Sequence, residues 1–306
     1  MAKGTRDIRR KIKSIKNTRQ ITKAMELVSA SKMRRAVANT LALRPYARLA
    51  RALLTNLSSK AAGELHPLLV KRDVKRVLVV VYSPDRGLCG GLNTQLFRKV
   101  NEYVKAETAK KKPPELSFVA VGKKIQDFLR RSGRNVVAAY GSMSLNPAIK
   151  DTYAISRMVM QDYTGGAYDK VVLIYTDFIS AINQKPSVRR LLPLSKYALE
   201  EMVEGIDTKS TKGDESDSAA VSEYKFEPSP DEVLAMLLPR LTEMQIYQAV
   251  LESTASEHSA RMFAMRNASD NASEFISDLT LSYNQIRQAS ITAELAEISA
   301  GRAALG

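Results

Sequence analysis

The chain has 306 residues, 44% of them hydrophobic and 26% charged, which is material for a substantial core in one large domain or two smaller ones. No apolar run approaches the roughly 20 residues that span a bilayer. With Cys89 as the only cysteine, an intrachain disulfide and a thiol-pair switch are excluded, and a cysteine-built zinc site is not expected. The net charge of +15 asks for an acidic partner, and it is unevenly placed: residues 1–50 carry fourteen Lys/Arg against Asp7 and Glu26, whereas residues 240–306 carry five Arg against eight acids.

The opening stretch, MAKGTRDIRRKIK, lacks the apolar segment of a signal peptide. It is basic and amphipathic like a transit peptide, but the pattern runs far beyond any cleavage site, so a cytosolic-side protein is expected. From Thr5 to Arg44 there is neither glycine nor proline, and Ile8, Ile12, Ile15, Thr22 and Met25 recur at spacings of three, four or seven. That is one face of a long helix. Pro45 interrupts it, and the pattern resumes to about Ala62, just before Gly63.

Four runs dense in β-branched residues then read as strands: RVLVVVY (76–82), LSFVAVG (116–122), NVVAAYG (135–141) and KVVLIYTDF (170–178). Helical patterns separate them, in LNTQLFRKVNEYVKAETAK, KKIQDFLRRSG and AIKDTYAISRMVMQDY. Alternation of this kind predicts a small α/β domain on a mainly parallel sheet. After the first strand comes SPDRGLCGGLN (83–93), where a phosphate-binding loop would sit. Its glycines Gly87, Gly90 and Gly91 fit neither G-x-x-x-x-G-K-[ST] nor G-x-G-x-x-G, so a tight turn leaving the sheet is the better reading.

Residues 204–220, EGIDTKSTKGDESDSAA, are small and polar, and a mobile loop is expected there. From Arg240 to Ala300 glycine and proline are again absent, enough for a helix of roughly 90 Å at 1.5 Å per residue. A heptad frame begun at Leu241 has twelve apolar positions of sixteen, among them Met244, Leu251, Ala272, Ile276 and Ile286. The N-terminal helix is its expected partner in an antiparallel coiled coil, with a surplus of positive potential left outside.

Catalytic chemistry has little to build on. His258 falls on the seam and His66 stands beside Pro67, too few histidines for a metal site, and Met25, Met33, Met262 and Met265 read as core filling. No Ser/His/Asp constellation stands out. No catalytic residue, cofactor or metal is expected.

Two pairs of stretches carry a family resemblance: SEHSARMFAMRNASDNA (256–272) with RQASITAELAEISAGRAAL (287–305), and ITKAMELVSASKMRRA (21–36) with RPYA (44–47). Together with DRGLCGGLN they resemble the gamma subunit of the rotary F-type ATP synthase over essentially the whole chain. Departures lie mainly in residues 195–223, where the plastid cysteine pair is lacking, so thiol switching is not implied. The resemblance implies a long antiparallel coiled coil of the N- and C-terminal helices with a central Rossmann-like α/β domain. The expected divisions are 1–62, a foot domain at 63–230, and 231–306.

It further implies a central rotor shaft without a catalytic site of its own. The shaft would turn inside three alpha and three beta subunits, with its foot on the epsilon subunit and the membrane c ring. Membrane contact would come only through that ring, at the cytoplasmic face of a bacterial plasma membrane. By resemblance, Arg287, Gln288, Thr292 and Glu294 contact the catch loops of the beta subunits, Met25 and Arg261 lie near their moving lobe, and Tyr224 and Glu227 lie near the c ring and epsilon. Asp85, Arg86, Gly87, Gly90 and Gly91 form a signature loop. A basic coiled-coil protein that binds nucleic acid is the alternative, set against the single aromatic, Tyr46, in residues 1–50. A nucleotide-binding enzyme is a second, from the α/β pattern and the glycine-rich turn.

Overall fold

The computed structural model describes residues 2–43, 66–141, 143, 147–194 and 229–305. The continuation of the first helix toward Ala62 and the loop at 204–220 lie outside the described residues. The elements are α1 (Ala2–Ala42), β1 (Arg76–Tyr82), α2 (Leu92–Thr108), β2 (Glu115–Val121), α3 (Lys123–Arg131), β3 (Val136–Tyr140), α4 (Tyr153–Thr164), β4 (Lys170–Phe178), β5 (Gln184–Leu192) and α5 (Pro230–Leu305). The chain divides into two compact units, Met1–Ala30 with Arg261–Gly306, and Ser31–Ala260.

In the larger unit, five strands lie in the order β3-β2-β1-β4-β5. The first four are mutually parallel, with Val79 opposite Phe118 on one side and Val172 on the other. Because successive side chains point to opposite faces, β1 feeds two cores at once. Val77, Val79 and Val81 pack with Leu96 and Val100 of α2 and Ile125 and Leu129 of α3. Leu78 and Val80 pack with Ile155 and Val159 of α4 and with Leu238 and Ile246 of α5. Burial on both faces explains why β1 reads as a continuous apolar run, and each such side chain stabilises the fold by about 1.5–3 kcal/mol.

Two features depart from the sequence pattern. Strand β5, QKPSVRRLL, has no strand signature, yet it pairs antiparallel with β4 along its whole length. It is the last strand of the sheet, where Pro186 is tolerated, and Arg189 is held by Asp177 of β4 at 3.2 Å. Helix α5 starts ten residues earlier than glycine and proline counting suggests and runs through Pro239. Leu238 and Leu241, both fully buried, anchor the turn on either side of that proline.

In the smaller unit α1 and α5 lie side by side, with the Arg9 guanidinium over the Tyr283 ring at 5.4 Å and donating to its hydroxyl. On α1 the predicted face is the covered one: Ile8, Ile12, Ile15 and Met25 are half-buried, and Thr22 and Ser29 are buried. Along α5 the heptad frame stays covered to Ala272, is half-covered at Ile276 and Tyr283, and is exposed at Ile286.

Candidate functional site

The glycine-rich stretch turns out to be a capping device. Helix α3 begins after Gly122, which has no side chain with which to cap it. The first N–H groups of a helix lack partners within it, and here Ser83, Pro84 and Asp85 supply them from the end of β1. Lys123 N–H donates to the Asp85 carboxylate at 2.8 Å, Lys124 N–H to the Pro84 carbonyl at 3.3 Å, and Ile125 N–H to Ser83 Oγ at 2.8 Å. An anion approaching the start of α3 would meet three donors already engaged. Gly122 itself sits at φ +98°, and a Cβ there would lie 2.0 Å from the Ser83 carbonyl oxygen.

The rest of the loop starts α2. Leu88 and Gly90 both have positive φ, 62° and 58°, which reverses the chain so that Leu92 N–H reaches the Cys89 carbonyl at 3.3 Å. Cys89 is buried, and its sulfur accepts from the Asn93 amide at 3.4 Å. Beside the loop, a cavity of about 240 Å³ is lined by Tyr82, Ser83, Asp85, Arg86, Glu257 and His258, among others. Burial pushes the Tyr82 hydroxyl well above its ordinary pKa, and the negative charges of Glu257 and Asp85 add to this, opposed by its bond to Thr254. Among the described residues, no three His, Cys, Asp or Glu side chains converge as a metal site would require.

The other predicted positions lie on the helices. Met25 is half-buried on α1, and Arg261 on α5 is only 8% exposed. Arg287, Gln288, Thr292 and Glu294 are all exposed. They share one side of α5, since 287 and 294 are seven residues apart and 288 and 292 are four apart. Within that side stand Ile291, Leu295 and Ile298, exposed by 48%, 59% and 69%. The result is an apolar strip rimmed by polar side chains, the composition of a protein-binding surface. Tyr224 and Glu227 lie outside the described residues.

A sequence model of the family described as ATP synthase matches residues 4–305. The ATP synthase gamma chain of Heliobacterium modesticaldum is 45% identical over 303 residues, covering 99% of both chains. That of Roseiflexus sp. is 45% identical over 305 residues, covering 98% of each. The chain belongs to the ATP synthase gamma chain family.

Solved structures agree with it in fold. The central stalk and c-ring structure of Tetrahymena thermophila mitochondrial ATP synthase holds a chain that is 25% identical, with a TM-score of 0.57, covering 81% of this chain and 99% of that one. The rotor of Euglena gracilis mitochondrial ATP synthase gives 22% identity, a TM-score of 0.61, and coverage of 95% and 100%.

In this gamma-family chain the sequence reading named the polar rim of the C-terminal helix and missed the apolar strip inside it. Ile291, Leu295 and Ile298 stand at i, i+4 and i+7, which is a readable signal. They were hidden because the heptad frame begun at Leu241 runs along a different stripe. The capping role of Ser83 and Asp85 had no local signal, since its recipients lie about forty residues away.

Proposed function

We propose that this chain is the central rotor shaft of an F-type ATP synthase. It couples ion-driven rotation of the membrane c ring to ATP synthesis or hydrolysis at sites on the beta subunits, and has no catalytic site of its own. The observation that carries this reading, given the family, is the apolar strip Ile291–Leu295–Ile298 with its rim of Arg287, Gln288, Thr292 and Glu294. Such a strip needs a partner to cover it. The beta subunits take that place, with Met25 and Arg261 nearer their moving lobe and Tyr224 and Glu227 near the c ring and epsilon. Nucleic acid has no part in this reading.

The mechanism follows from differential contact. One elementary charge crossing the membrane yields about 2.3 kcal/mol per 100 mV, so several crossings must be summed for each ATP. A helical pair resists twisting better than a single helix, and its faces differ. Each beta subunit therefore meets a different face and takes a different affinity for nucleotide. In the expected divisions residues 1–62 and 231–306 form the shaft and residues 63–230 its foot, with the first part of α5, up to Ala260, packed into the same compact unit as the sheet. Among the described residues no helix is long and apolar enough to cross a membrane, which suits a peripheral subunit at the cytoplasmic face of a bacterial plasma membrane.

The test pairs composition with activity. Complexes purified through a tag on this chain should contain one copy of it with three copies each of two larger subunits. Arg287→Ala with Gln288→Ala should lower ATPase turnover about tenfold while leaving that composition intact. Recovery of the chain alone, or unchanged turnover in the assembled variant, would count against the reading.

A further inference from the structure

Between Gln248 and Ser259, helix α5 has an unusual composition for a buried segment. Gln248, Glu252, Ser253, Thr254, Ser256 and Ser259 are all at most 6% exposed. A smooth apolar helix face would bury as much surface, but apolar contact is non-directional and fixes the rotation of a helix about its axis less sharply than directed bonds do. Hydrogen bonds do not, because they weaken steeply with angle.

Three of these hydroxyls, those of Thr254, Ser256 and Ser259, reach the α/β body of the same unit. Thr254 donates to the Val250 carbonyl at 2.7 Å and lies 3.3 Å from the Tyr82 hydroxyl at the end of β1. Ser256 donates to the Thr176 carbonyl of β4 at 3.2 Å. Thr176 stands opposite Pro186, which has no N–H to offer. Ser259 donates to the Ala181 carbonyl, in the turn between β4 and β5, at 2.5 Å, and receives the Gln184 amide at 3.4 Å. One helical turn earlier, Glu252 accepts from the Gln248 amide at 2.9 Å.

At about 100° per residue, positions 254, 256 and 259 are spread over roughly 200° of the helix circumference. Rotation of α5 in either direction therefore stretches at least one of the three contacts. We propose that Thr254, Ser256 and Ser259 form a torque key, positioning residues that lock α5 against β1, β4 and the β4–β5 turn so that load on the helix passes into the α/β body. The inference rests on the rotor reading above. It assigns the buried hydroxyls a mechanical task that packing alone does not require.

The experiment uses the whole enzyme in inverted membrane vesicles and reads the ATP-driven membrane potential against the rate of ATP hydrolysis. In Ser256→Ala with Ser259→Ala, hydrolysis by the detached catalytic head should be unchanged, while the potential sustained at equal hydrolysis should fall about twofold. Ser256→Thr, which keeps a hydroxyl, should restore it. If the double variant assembles poorly, the single change carries the test, and the loss must appear in Ser256→Ala and be absent in Ser256→Thr. An unchanged potential in assembled enzyme, or equal losses in unloaded hydrolysis and in potential, would overturn the torque key. Absence of this chain from the membrane-bound ATPase would overturn the rotor reading itself.

Discussion

The two halves of α5 share one backbone geometry and a similar helical periodicity, yet their surroundings are opposite. From Leu241 to Ser259 nearly every side chain is covered, polar ones included, whereas from Ile286 onward apolar side chains stand in solvent. Periodicity reports that a helix has a face; it does not report what lies against that face. The first half packs on a sheet in the same chain, and among the described residues no sheet covers the second. A buried face and an exposed apolar face are thus laid out along a single helix.

That contrast can be tested by paired truncations. Leu251→Ala, at a fully buried position, should destabilise the chain by about 3 kcal/mol, while Leu295→Ala should cost under about 0.5 kcal/mol and instead weaken assembly. Urea unfolding of both variants with a pull-down of their partners decides it, and similar losses at the two sites would erase the distinction. The capping loop sharpens the self-contained side. Gly122→Ala forces a Cβ to within 2.0 Å of the Ser83 carbonyl and should cost about 2 kcal/mol or more in the same assay. Asp85→Ala removes the cap on Lys123 N–H and should cost about 1 kcal/mol; no change would mean that water replaces the carboxylate fully.

The smallest effect concerns Asp169, whose carboxylate accepts from the N–H groups of Lys75 and Arg76, each at 2.9 Å. Burial raises its pKa, but these two bonds and the nearby Arg76 and Arg72 outweigh burial and leave it below the ordinary value. A carboxyl that stays charged to lower pH when folded contributes stability that is complete above about pH 4 and is lost as pH falls through the lowered value. Asp169→Asn should therefore flatten the acid limb of the stability profile below about pH 4 and leave its dependence near neutrality unchanged.

Much of the fold was legible because its signals are local. The central strands β1 and β4 announce themselves as β-branched runs, since burial on both sheet faces demands apolar side chains at nearly every position, and β2 and the edge strand β3 follow the same pattern less fully. The α1 face and the α5 frame to Ala272 were equally plain. Strand β5 was not, because Lys185, Pro186 and Arg189 resemble a loop until β4 supplies the ladder and Asp177 the counter-charge. The site divided the same way. The polar rim at Arg287 and Glu294 came through resemblance, while the spacing of Ile291, Leu295 and Ile298 marks an apolar face whose exposure only the structure shows.

The sequence by itself determined the class of each long element, the α/β alternation, the charge asymmetry and the family. The elements and their alternation depend on residue types at fixed short spacings, the charge asymmetry on composition, and the family on long ordered motifs. Only the tertiary structure decided that SPD caps α3, that β5 closes the sheet, and that the serine-rich turns of α5 face carbonyls of β4 and the β4–β5 turn. The caps and the α5 contacts pair groups roughly forty to eighty residues apart, and a hydrogen-bond partner at that distance leaves no mark on the local pattern of either segment; β5 lies near β4 in the chain, but its polar residues carry no strand pattern of their own.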